Sequence, residues 1–97
     1  MASSKEFLDF VLEQLSDLPN IKYRAMMGEY IIYYRGKIVG GIYDNRLLIK
    51  PVAAALKILP NAKIEIPYSG AEQMIMITDV ENKDFLTKLF NAVWSEL

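Results

Sequence analysis

The chain has no cysteine and no histidine among its 97 residues. That removes disulfides, thiolate nucleophiles, imidazole bases and any zinc site built on Cys or His. A cation site made of carboxylates alone is not suggested either, because the acidic residues are scattered and no loop has EF-hand spacing. Proline and glycine are sparse at four and five residues, while 53% of the chain is hydrophobic and 24% charged, so neither disorder nor a fibrous repeat fits. No apolar run approaches the roughly 20 residues that span a bilayer. Met1 to Glu6 lacks a basic region followed by an apolar stretch, so it does not read as a secretory signal, and the cytoplasm is the expected location. The length suits one domain over residues 1–97, with no linker and no internal repeat.

The net charge of −1 hides a block arrangement. Residues 22–63 carry eight cations against only Glu29 and Asp44, whereas the segments on either side are acidic. The charge blocks follow the expected elements. Ser3-Ser4-Lys5-Glu6 has the capping-box spacing, and Phe7, Leu8, Val11, Leu12, Leu15 and Leu18 then repeat at helical steps until Pro19-Asn20. Residues 22–50 read as an antiparallel meander. A short strand over Lys22–Met27 leads to Tyr30–Tyr34, a reversal at Arg35-Gly36-Lys37, a strand from Ile38 to Tyr43, a turn at Asp44-Asn45 and a strand at Leu47–Ile49.

A short helix fits Val52 to Leu59 between Pro51 and Pro60. Lys63–Ile66 is a brief extended piece, Pro67–Gly70 a loop, and Met74–Ile77 a strand covered on both faces. Asp79 or Asn82 caps a last helix whose stripe is Phe85, Leu86, Leu89, Phe90, Val93, Trp94 and Leu97. The expected class is therefore α+β: an antiparallel sheet with helices packed on it, in the order helix, three or four strands, short helix, one or two strands, helix. Alternation points Tyr30, Ile32 and Tyr34 to one side of the sheet and Ile31 and Tyr33 to the other. Helices cover one side. The other exposes apolar surface that a second copy can cover.

Three functional readings follow. In the first, that surface serves protein contact, with Met26 and Met27 as adaptable side chains beside a bend at Gly28. In the second, Lys22, Arg24, Arg35, Lys37, Arg46 and Lys50, interleaved with Tyr23, Tyr30, Tyr33, Tyr34 and Tyr43, bind single-stranded nucleic acid directly. Against this, only three of the eleven cations are Arg and the isoelectric point is near 5.4, and charges at strand ends also serve solubility and edge protection. In the third, a pocket with converging Glu29 and Arg24 does small-molecule chemistry, yet nothing in the spacing brings two carboxylates together. Gly36, Gly40 and Gly41 match no phosphate-binding pattern and fit a turn plus a bulge or close backbone approach.

Arg24-Ala25-Met26-Met27-Gly28-Glu29-Tyr30, running on through Tyr34-Arg35-Gly36-Lys37-Ile38-Val39-Gly40, resembles the N-terminal domain of the TfoX/Sxy competence regulators. Leu47-Leu48-Ile49-Lys50 and Pro67-Tyr68-Ser69-Gly70-Ala71 are similar to further segments of that family. Met27 stands where the family usually has Phe, Arg35 where it has Asp, and Ser69 where it has Pro. Full regulators carry a second, helical domain, and the resemblance covers only their first. It implies a secretion-chaperone-like α+β fold that often dimerises, and a non-enzymatic regulatory role, full-length members acting in transcription regulation alongside the cyclic-AMP receptor protein. It supplies no catalytic residue, metal or cofactor. The expected contact surface is Arg24, Met27, Gly28, Tyr30, Tyr33, Tyr34, Arg35, Lys37, Lys50, Pro67 and Tyr68, and the expected partners are a second copy and a transcription-regulator protein.

Overall fold

The computed structural model describes residues 2–97. Helix α1 spans Lys5–Gln14, and its cap is Ser4, whose Oγ accepts the Phe7 backbone N–H at 3.1 Å. The capping box expected from Ser3 and Glu6 is not formed, because the Ser3 hydroxyl is engaged elsewhere. The helix also stops before Pro19. Leu15 is its C-cap, and a looser turn in which the Leu18 N–H donates to the Leu15 carbonyl carries the apolar stripe onward, so Leu15 and Leu18 are still buried.

Four strands follow in meander order: β1 (Ile21–Met26), β2 (Glu29–Tyr34), β3 (Lys37–Tyr43) and β4 (Arg46–Ile49). Each connection is a two-residue turn with both φ angles positive: +54° and +84° at Met27-Gly28, +48° and +80° at Arg35-Gly36, +53° and +56° at Asp44-Asn45. Those are type I′ values, whose twist matches that of the flanking strands. Helix α2 (Ala53–Ile58) precedes β5 (Ile64–Glu65) and β6 (Met74–Ile77), and α3 (Lys83–Trp94) is the last element among the described residues. Asn82, not Asp79, caps α3 by accepting the Phe85 N–H.

The sheet has six strands, antiparallel throughout, in the order β1-β2-β3-β4-β6-β5. Between β2 and β3 the register slips after Ile32, leaving Val39 as an extra residue that turns into the core. Gly40 is required beside this bulge, since a β-carbon there would come 2.1 Å from the Leu48 carbonyl oxygen. The two expected roles for these glycines, turn and close approach, both hold.

All three helices pack on one side of the sheet. Leu8, Val11 and Leu15 from α1, Ala55 from α2, and Leu86, Leu89, Phe90 and Val93 from α3 share one core with Ile32, Tyr34, Ile42, Leu47, Ile49, Ile75 and Ile77. Ile31, Tyr43 and Leu48 are also buried but lie outside that core, on the helix-free side. Part of this second side is therefore covered by the chain itself. Gly41 explains how: a β-carbon on it would come 2.7 Å from the Tyr43 ring, so the ring lies back over the glycine and fills the gap.

Candidate interaction surface

The helix-free side has a distinct end, built by two hairpin tips and a loop. The β1–β2 tip carries Met27, which is 96% exposed and holds a left-handed backbone. Glu29, the first residue of β2, fixes this tip to its surroundings. Its carboxylate accepts from Ser3 Oγ at 2.6 Å, from the Ser3 N–H at 3.1 Å and from the Asp44 N–H at 3.2 Å. The Ser3 N–H also donates to the Gly28 carbonyl, and Ser3 Oγ accepts from the Asn45 N–H. One acidic side chain thus ties the chain ahead of α1 and the β3–β4 turn to the Met27 hairpin.

The third component is the loop Pro67–Ala71, closed by the Ala71 N–H donating to the Tyr68 carbonyl and turned by Gly70 at φ +86°. It lays Tyr68 beside Tyr43, with ring centroids 6.1 Å apart. Burial raises the Tyr43 phenol above its ordinary pKa, and nearby Tyr68 and Glu29 push it the same way. On one side of this pair, Met26, Met27, Glu29, Tyr43, Pro67 and Tyr68 line a groove of about 490 Å³. On the other side a shallower groove of about 430 Å³ runs past Lys50, Pro51 and Met74.

Met27, Gly28, Lys50, Pro67 and Tyr68 are therefore gathered around Tyr43, as one end of one face. The remaining expected residues are not part of that end. Tyr34 is 1% exposed and its hydroxyl donates to Asn91 Oδ1 at 2.6 Å on α3, so its place on an exposed surface is corrected: it is a core residue. Tyr30 packs on the helix side, edge-on to Tyr23. Arg35 and Lys37 lie over the Trp94 ring at 5.3 and 4.7 Å, near the end of α3. Arg24 stands exposed on β1, and Tyr33 is half-buried on the helix-free side.

Sequence reasoning offered Met26 only as an adaptable neighbour of Met27 and left Glu29 and Tyr43 off the contact surface. The signal for Tyr43 was present in its spacing from Gly41 on one strand face, which invites an aromatic ring over the glycine. Glu29 gave no local signal, since its partners are 15 and 26 residues away. The pocket chemistry considered for Glu29 with Arg24 is not assembled: Glu29 lines the groove with its oxygens engaged, and Arg24 is not among the lining residues. Among the described residues there is no cluster of carboxylates able to hold a metal.

Residues 13–87, which include every strand and all three motif segments, match the TfoX N-terminal domain. The chain belongs to the TfoX N-terminal domain family. It is also 35% identical over 80 residues, 82% of this chain and 70% of the other, to an uncharacterized 12.7 kDa protein in the trpE 5′ region of Spirochaeta aurantia. The TfoX N-terminal domain is a regulatory domain and not a known enzyme family. Among the described residues no helix is long and apolar enough to cross a membrane.

Proposed function

We propose that this TfoX N-terminal domain is a non-enzymatic regulatory module that works by protein–protein contact in the cytoplasm, and that it forms a homodimer through the Met27 end of its helix-free face. Met27 carries this reading. A left-handed backbone costs a non-glycine residue about 1–2 kcal/mol, and the type I′ turn at this position favours Asn, Asp or Gly. A methionine that is almost wholly exposed there recovers none of that cost within one chain. Burying the side chain in a partner contributes about 1.5–3 kcal/mol. The apolar groove beside it is a receptor of suitable chemistry, and two-fold symmetry seats each Met27 in the other copy's groove. The dimer then serves competence-type transcription regulation by contacting a regulator protein.

Light scattering over a range of concentrations tests the association. The expected species has twice the 11.1 kDa chain mass, and Tyr68→Glu, which places a charge in the groove, returns it to a monomer with unchanged helical content. A wild-type chain that stays monomeric at high concentration sinks the dimer.

Direct nucleic-acid binding is the alternative, and one observation favours it: Lys22, Tyr33 and Arg35 line a shallow groove of about 410 Å³. Arg24 shares the helix-free face with Lys22, and Lys37 lies with Arg35 over Trp94. Arg46, however, pairs with Glu65 at 3.2 Å and Lys50 lines a separate groove past Tyr43, so among the described residues the cations of 22–50 do not form one continuous stripe along a strand of phosphates. Binding to single-stranded DNA that falls steeply with salt and vanishes in Arg35→Glu/Lys37→Glu supports this alternative over the first reading.

A further inference from the structure

β1 is an open edge. Among the described residues β2 lies on one side of it and no strand on the other, and Lys22 through Ala25 are exposed in succession. The opposite edge, β5, is only two residues long and offers little template for another strand. Because Met27-Gly28 is a two-residue turn, Met26 and Glu29 form the hydrogen-bonded pair that closes the hairpin. Alternation then assigns the backbone groups of Lys22 and Arg24 to the ladder with β2. It turns the N–H and C=O of Ile21, Tyr23 and Ala25 outward, toward the empty edge.

The side chains along this edge are sorted by face. Lys22 and Arg24 pair in register with Tyr33 and Ile31 on the helix-free side, and among the described residues neither forms an ion pair. Tyr23 points to the helix side, 44% exposed, with its ring 5.9 Å from that of Tyr30. A second copy of the chain is a poor occupant. Antiparallel pairing of β1 with itself, centred on Lys22, Tyr23 or Arg24, sets cation directly opposite cation in every case, and like charges opposite one another are destabilising. The same two cations favour carboxylates at those positions.

We infer that the β1 edge accepts an extended acidic segment of another protein as an added strand. The matching pattern is acidic–apolar–acidic, with two carboxylates two residues apart facing Lys22 and Arg24 and an apolar side chain between them against Tyr23. Main-chain hydrogen bonds to Ile21, Tyr23 and Ala25 hold the segment, and the cations select it. This surface is separate from the Met27 groove, so it does not depend on self-association.

The probe is a short fluorescein-labelled peptide of alternating Glu and Val, compared with the Lys and Val counterpart. Anisotropy should show the acidic peptide binding about tenfold more tightly, a preference carried by two cross-strand charge pairs. Hydrogen exchange followed by NMR should show new protection at the Ile21, Tyr23 and Ala25 amides. Ala25→Pro removes one outward N–H while leaving the β1–β2 ladder whole, and should abolish binding. Lys22→Glu/Arg24→Glu should reverse the preference. Failure of the acidic peptide to bind, equal binding of the two peptides, or binding without protection of those amides overturns the inference. The exchange measurement uses the wild-type chain, so it decides the matter even if the proline variant does not fold.

Discussion

Ser3 Oγ donates to Glu29 Oε1 across 2.6 Å, joining the residue ahead of the α1 cap to the first residue of β2. The same oxygen accepts the Asp44 N–H, so one carboxylate holds two hairpin ends and the chain start in a fixed arrangement. A hydrogen bond to a charged group contributes about 1.5–3 kcal/mol. Glu29→Ala should therefore lower stability by about that amount in urea unfolding, with the sheet otherwise retained. A loss within experimental error would show that the contacts around Glu29 do not hold the tip.

Gly40 and Gly36 should respond differently to alanine. At Gly40 the added carbon would meet the Leu48 carbonyl oxygen at 2.1 Å, which is backbone and cannot rotate away. At Gly36 the carbon has open space, and the strain comes only from φ +80°. Gly40→Ala should cost several kcal/mol, beyond the about 1–3 kcal/mol of ordinary overpacking. Gly36→Ala should cost only about 1–2 kcal/mol. Thermal melts of the two variants check the order, and equal losses would argue against the close β3–β4 approach.

Tyr43 gives the fold an alkaline limit. Its phenol is raised by burial first, then by Tyr68 and Glu29, whereas in the unfolded chain it titrates near the ordinary value of about 10. A raised folded pKa means the native state retains the proton longer than the unfolded state does. The stabilisation is complete below about pH 10 and is lost as pH rises through the higher folded value. Ultraviolet titration should show a late tyrosinate transition that is missing in Tyr43→Phe. Its persistence in that variant would assign it to another tyrosine.

The fold class was readable because local signals agreed. The two helical stripes, the β-branched run at Tyr30–Tyr34 and the turn dipeptides each pointed to the element that forms. The end of α1 and its cap were not readable to the residue, because Ser3 and Ser4 offer the same hydroxyl and only the distant Glu29 decides between them. The proposed contact surface was half legible. Its motif residues Met27, Gly28, Pro67 and Tyr68 do meet, but Tyr34 sits in the core through a bond to Asn91 that lies 57 residues away. Charge was the weakest guide: the basic block of residues 22–63 is contiguous in sequence, yet folding sends Arg35 and Lys37 to Trp94 and Arg46 to Glu65.

The central claim is that Met27 is kept at a strained turn because a partner copy buries it. Met27→Asn separates the two effects, since Asn adopts the left-handed turn more easily and lacks the apolar side chain. Light scattering of this variant beside the wild type, with melting followed on dilute samples, is the decisive measurement. The account predicts a monomer for Met27→Asn, a dimer for the wild type, and an isolated variant chain more stable by about 1 kcal/mol than the dissociated wild type. A Met27→Asn chain that retains the wild-type mass at every concentration would contradict it.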